Sequence, residues 1–216
     1  MIKKFMILGD SYSTYAGCIP EGYATYYSPE GDPNSDHTVR KMQQCDTWWQ
    51  RLIDTTGAEL LLNNSWSGST VSYTGRSGDC SRTSSYIYRY RQLRENGFFA
   101  NNDIDTIFVF GGTNDSWINV PLGEVMLSDW QESDLYNVLP AICHLMYSLK
   151  HDLPSARVIF IANCDIKQEI VDCIKHAAEH YGAEVVELCG IDKQFGHPTP
   201  LGMSQICDQV IACLNK

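Results

Sequence analysis

The chain has 216 residues, 44% of them hydrophobic, 11% aromatic and 19% charged, which is enough apolar material for a sizeable core and too much for a disordered chain. Its formal net charge of −10 repels phosphate backbones and anionic bilayers, and no basic run compensates locally. Nucleic acid and membrane are therefore excluded as expected partners, and no span approaches the roughly 20 apolar residues of a membrane helix.

Met1-Ile2-Lys3-Lys4 carries signal-like charge, but Phe5–Leu8 is too short for the apolar core of a signal peptide. The nine cysteines show no CxxC pair and no His/Cys cluster at zinc spacing. Cys143, Cys173 and Cys207 stand where helical patterns want apolar residues, as buried free thiols do. The expectation is a reduced, cytoplasmic protein with no metal site.

In chain order, Phe5–Leu8 reads as a buried strand ended by Gly9. Thr47–Thr56 follows as a helix closed by Gly57, and Glu59–Asn63 as a second strand. Ser85–Glu95 is a helix ended by Gly97, and Thr106–Phe110 the third strand. A helix over Ser133–Lys150, a strand over Arg157–Ala162, a helix over Asp165–Tyr181 closed by Gly182, a strand over Glu184–Leu188 and a helix over Pro200–Leu214 complete the pattern. Short β-rich runs without alternation suit parallel strands covered on both faces. Their alternation with helices predicts an α/β fold with a doubly wound sheet, whose sites lie beyond the carboxyl ends of the strands. No linker, repeat or change of composition divides residues 1–216, so a single domain is expected. Two loops, 12–45 and 65–83, are too long for plain turns and are expected at the active site.

Three strand ends carry chemistry. The first runs into Gly9-Asp10-Ser11, which projects a hydroxyl into the site crevice. The third ends in Gly111-Gly112-Thr113-Asn114-Asp115, where two glycines allow close backbone approach and present an amide donor. After the fifth comes Gly196-His197-Pro198-Thr199-Pro200-Leu201-Gly202, a histidine just ahead of a helix opened by proline. Each alone is an ordinary loop; together they fill the roles of nucleophile, base and oxyanion donor on one sheet edge.

With these blocks the sequence resembles the GDSL, or SGNH, esterases and lipases. Gly9-Asp10-Ser11, Gly112-Thr113-Asn114 and His197-Pro198 with Gly202 match three of that family's motifs, and Asn64-Ser65-Trp66-Ser67-Gly68-Ser69-Thr70 matches the fourth in position. The resemblance implies a flavodoxin-like five-stranded parallel sheet of order 2-1-3-4-5 with helices on both faces. It also implies serine acyl-ester chemistry on a small-molecule ester with no cofactor. Ser11 would attack, His197 would act as base, and the Ser11 and Gly68 N–H groups with the Asn114 side chain would hold the oxyanion.

Tyr12 replaces the leucine of the name motif, and Gln194 stands where the family carries its acid, three residues before the histidine. Asp192 is the expected replacement, reaching His197 if the loop bulges at Gly196; a dyad whose ring is oriented by Gln194 or a backbone carbonyl is the alternative. Tyr12, Tyr15, Tyr23, Tyr26 and Tyr27 in the first loop, with Trp66, Tyr73, Trp117 and Trp130, suit stacking on sugars. Asp10, Tyr12, Trp66 and Trp117 are the candidate substrate contacts, and an acetylated carbohydrate is the favoured substrate. Two other classes remain open: a non-catalytic carbohydrate-binding or assembly subunit of the same fold, and a flavodoxin-like module cradling a flavin phosphate on Ser11-Tyr12-Ser13-Thr14.

Overall fold

Five apolar runs lie side by side as one parallel sheet in the computed structural model, which describes residues 2–216. In chain order the strands are β1 (Lys4–Gly9), β2 (Glu59–Ser65), the hairpin β3–β4 (Thr74–Gly75 and Gly78–Asp79), β5 (Thr106–Gly111), β6 (Arg157–Ala162), β7 (Glu184–Glu187) and the hairpin β8–β9 (Lys193–Gln194 and His197–Pro198). The sheet runs β2-β1-β5-β6-β7, all neighbours parallel, which is the expected order 2-1-3-4-5 of its five strands.

Successive strand residues face opposite sides, so each strand feeds two cores. Met6, Leu8, Ile107, Val109, Val158 and Phe160 pack on one side with residues of α2 (Tyr86–Glu95), α5 (Val138–Asp152) and α6 (Gln168–Tyr181). Phe5, Ile7, Phe108, Phe110, Ile159 and Ile161 pack on the other with Trp48, Trp49 and Leu52 of α1 (Trp48–Thr56) and Met203, Ile206 and Val210 of α7 (Pro200–Leu214). Each such side chain contributes about 1.5–3 kcal/mol by leaving water, which is why these strands need no polar alternation.

Helix ends follow their local chemistry. Thr47, Ser85 and Thr199 accept from backbone N–H groups of the first turns of α1, α2 and α7, and Gly57 and Gly182 close α1 and α6 at φ 70° and 69°. Where the structure departs from the sequence reading, backbone geometry is responsible. The helix expected from Ser133 begins as a single 3-10 turn at Asp134–Tyr136 and becomes α-helical only at Val138. The one expected from Asp165 begins at Gln168, because Asp165 adopts a left-handed φ of 64°. Gly97, also left-handed, starts the short α3 (Phe98–Asn101) rather than capping α2. The glycine turn after β5 is the head of a further short helix, α4 (Thr113–Trp117).

All nine cysteines are free, with Cys143, Cys173 and Cys207 buried. No helix among the described residues is long and apolar enough to cross a membrane.

Candidate active site

Ser11 leaves the carboxyl end of β1 just beyond Gly9, where a Cβ would come within 2.6 Å of Ser65 Oγ on the neighbouring strand. The missing side chain lets β1 and β2 close up beneath the serine. Ser11 Oγ lies 3.0 Å from His197 Nε2. The other ring nitrogen, Nδ1, is 3.1 Å from the carbonyl oxygen of Phe195. A carbonyl only accepts, so Nδ1 carries the hydrogen and Nε2 turns its lone pair to the Ser11 hydroxyl, as a base requires. Burial holds the His197 pKa down to about 4; the Phe195 carbonyl opposes this, while His37, Arg40 and Arg76 add to it. The ring is therefore neutral at neutral pH.

The histidine is held by a tight hairpin. Gln194 pairs with His197 across β8–β9, and the two residues between them, Phe195 and Gly196, both have positive φ, at 50° and 74°. That is the signature of a turn whose twist matches its strands. Tyr12 donates its hydroxyl to Gly196 O, and Tyr27 donates to Pro198 O at 2.9 Å. Lys193 Nζ ties the hairpin to the end of β6 through Asn163 Oδ1 at 2.9 Å. The Tyr26 ring lies flat on the imidazole, with centroids 3.7 Å apart at 8°, and Trp117 meets it edge-on at 5.5 Å.

Asp192 is not brought to His197, which corrects the sequence expectation. Its carboxylate accepts the hydroxyl of Thr199, the cap of α7, and its carbonyl accepts the Thr199 N–H at 3.1 Å. Gly202 allows this packing, since a Cβ there would run into the Asp192 carbonyl oxygen. Gln194 is exposed, its Oε1 3.4 Å from Thr38 Oγ1, and does not reach the ring either. Of the three candidates, only a backbone carbonyl orients the histidine.

Asn114 stands in the first turn of α4, behind Gly111 and Gly112. A Cβ on Gly111 would sit 2.7 Å from the Tyr86 ring, and Gly112 has φ 86°. The Asn114 amide donates to Ser69 O at 2.9 Å and accepts from Arg76 Nη2 at 3.1 Å. Gly68, at φ 81°, lies in the same loop after β2. Among the described residues, the N–H groups of Ser11 and Gly68 donate to no other protein group. They remain available to a ligand.

Two buried charged residues that sequence reasoning passed over hold this loop. Asp115 accepts from Val71 N at 2.9 Å, Ser72 N at 3.1 Å and Ser72 Oγ at 2.8 Å. Arg89 donates to Gly9 O at 3.1 Å and Ser69 Oγ at 3.0 Å, and also to the carbonyl of Asn64, covering the strand ends from below. A signal existed for Arg89: it is the one charged residue on the buried face Tyr86, Ile87, Tyr90, Leu93 of α2. Phe195, which acts through its carbonyl, left none.

The substrate-contact candidates divide. Asp10 and Tyr12 are fully buried and do not face a ligand. Asp10 Oδ1 accepts the Tyr12 N–H at 3.0 Å, and burial pushes its carboxyl up to about 7. Tyr15, Tyr27 and Tyr73 also belong to the core. Trp66 and Trp117 reach the surface, Trp66 lying 4.3 Å from the Tyr23 ring. The Ser13 and Thr14 hydroxyls are buried and already bonded, to Trp48 Nε1 at 3.1 Å and Tyr26 N at 2.9 Å, so they line no phosphate cradle.

A parallel α/β sheet whose carboxyl edge sets a serine hydroxyl against a neutral histidine defines the serine-hydrolase class. Residues 3–214 match the model of the GDSL-like lipase/acylhydrolase family. A structure described as a GDSL-like lipase from Bacteroides uniformis is 40% identical, with 99% of this chain and 96% of that one covered and a TM-score of 0.87. Another from Bacteroides ovatus is 33% identical over 100% and 99% of the two chains, again with a TM-score of 0.87. An acetyl xylan esterase, Est2A, from the rumen bacterium Butyrivibrio proteoclasticus shares the fold at 17% identity and a TM-score of 0.62, over 99% of this chain and 63% of that one. A search of curated proteins found no match. The chain belongs to the GDSL-like lipase/acylhydrolase family and is a carboxylic ester hydrolase.

Proposed function

We propose that the protein is a serine esterase that removes a small acyl group, acetyl above all, from a carbohydrate through an acyl-enzyme, with Ser11 and His197 as a catalytic dyad. The observation that carries this reading is the chain of contacts from Ser11 Oγ to His197 Nε2 at 3.0 Å and from Nδ1 to Phe195 O at 3.1 Å.

Ser11 Oγ attacks the ester carbonyl carbon as its proton passes to His197 Nε2. The oxyanion that forms is received by the N–H groups of Ser11 and Gly68 and by the free N–H of Asn114. His197 returns the proton to the departing alkoxide. A water then repeats the sequence on the acyl-Ser11 ester and frees the acid. The transient imidazolium is stabilised by the Phe195 carbonyl dipole and the face of Tyr26 rather than by a carboxylate.

The preference for a sugar ester rests on what stands at the mouth of the site. Tyr23, Trp66 and Trp117 offer half-exposed rings with hydroxyl and indole N–H edges, a surface that stacks on sugar faces. A fatty acyl chain would need aliphatic lining instead. The fold neighbour described as an acetyl xylan esterase is in keeping with this choice.

The test is a panel of p-nitrophenyl acetate, butyrate and octanoate beside acetylated mono- and oligosaccharides. The highest kcat/KM is expected on acetyl sugars, and a preference for octanoate would replace this reading with that of a lipase.

A further inference from the structure

The inference drawn here rests on the reading of Asn114 as an oxyanion donor. We propose that Arg76, at the tip of the β3–β4 hairpin, is a positioning residue of the oxyanion hole: it holds Oδ1 of Asn114 and so commits one amide N–H of that side chain to the substrate.

A primary amide offers one acceptor oxygen and two N–H donors. Here the Ser69 carbonyl takes one N–H at 2.9 Å and Arg76 Nη2 takes the oxygen at 3.1 Å. With both ends engaged, the amide plane cannot turn without breaking a hydrogen bond, and a single N–H is left over. The same guanidinium borders the second donor of the hole, since a Cβ built on Gly68 would lie 3.9 Å from Arg76 Cδ and Nε.

Arg76 also differs from the other cations near the site. Arg40 pairs with Asp32 and Lys193 with Asp165, whereas Arg76 joins no ion pair among the described residues. Its charge is therefore not cancelled locally. A cation on Oδ1 draws electron density from the amide and strengthens the remaining N–H as a donor, an effect that grows as the oxyanion forms. The hairpin is tied at its base, by Thr74 Oγ1 donating to Tyr136 O at 2.8 Å and by Asp115, next to Asn114, gripping Val71 and Ser72.

Arg76→Ala, Arg76→Lys, Asn114→Ala and the double alanine variant are compared on p-nitrophenyl acetate. Arg76→Ala is expected to lower kcat about 10-fold with KM changed less than about twofold, and Arg76→Lys to recover most of the loss. In the Asn114→Ala background, Arg76→Ala should cost less than about twofold more, because the two residues act as one unit. Losses that multiply in the double variant would show Arg76 acting on its own and overturn the proposal. So would an Arg76→Ala effect confined to KM, or no effect at all. If Asn114→Ala alone leaves kcat unchanged, the oxyanion reading fails and the proposal falls with it. An Asn114→Ala loss with full additivity removes Arg76 alone.

Discussion

The carbonyl oxygen of Phe195 lies 3.1 Å from Nδ1 of His197, on the side of the ring where a triad acid would stand. A carbonyl fixes the tautomer as well as a carboxylate does, but it brings no counter-charge. A neutral hydrogen bond contributes about 0.5–1.5 kcal/mol where one to a charged group contributes about 1.5–3 kcal/mol. The flat contact of Tyr26 on the imidazole adds attraction once the ring is protonated.

Because the Asp192 carboxylate bonds the Thr199 hydroxyl rather than His197, Asp192→Asn is expected to keep kcat within about threefold and to cost at most about 1 kcal/mol of stability. Steady-state kinetics with a melting curve checks both. A loss of several orders of magnitude would mean that this carboxylate reaches the histidine during turnover.

Ser11→Ala should abolish ester hydrolysis and labelling by a fluorophosphonate, with Tm shifted by no more than a few degrees. The Ser11 hydroxyl has His197 as its partner and fills no core position, so its removal leaves the sheet intact. More than a few per cent of activity in a clean preparation would take Ser11 out of the mechanism.

Asn114→Ala should lower kcat about 10²–10³-fold, or about 2.7–4 kcal/mol of barrier, with little change in KM, since its free N–H is needed most by the tetrahedral oxyanion. A pure rise in KM would make Asn114 a substrate-binding residue instead.

The pH profile follows from His197. Its pKa is held down to about 4 by burial, and only the neutral ring accepts the serine proton, so kcat/KM should stay level down to about pH 5 and fall as pH drops through about 4. The rings beside it are Tyr12, Tyr26 and Trp117 and the charges that act on it are those of His37, Arg40 and Arg76, so no carboxylate raises the limb. The same shift has a stability consequence. A histidine near 6.5 when unfolded and about 4 when folded favours the unfolded chain increasingly as pH falls through that window. A kinetic limb near pH 6.5 would show the ring to be solvated or paired with an acid.

Gly202→Ala should destabilise the protein by about 3 kcal/mol and depress activity with it, because the added Cβ runs into the Asp192 carbonyl, on the segment that leads into the histidine hairpin. Thermal unfolding of the variant decides; an unchanged Tm would show that this segment yields freely.

What the sequence determined by itself is the scaffold and the chemistry it presents at the sheet edge. Parallel strands covered on both faces must be apolar throughout, so Phe5–Leu8, Thr106–Phe110 and Arg157–Ala162 announce themselves locally. Gly9, Gly112 and Gly202 mark turns and close approaches that only glycine allows, and they flank Ser11, Asn114 and His197 in the chain. Tertiary structure decided what surrounds those three. The family's spacing falls on Gln194, and Asp192, two residues further back, was the carboxylate expected to replace it; its side chain turned instead to the helix cap it could reach. The oxygen that took its place belongs to the backbone of Phe195, and every residue has such an oxygen, so no residue type signals it. Asp10 and Tyr12 lie beside Ser11 in the chain yet are fully buried, the Tyr12 hydroxyl spent on the carbonyl of Gly196. Arg76, Arg89 and Asp115 find Asn114, Gly9 and Ser72 across 38, 80 and 43 residues of chain, and contacts at that range follow from how the layers pack rather than from any local pattern.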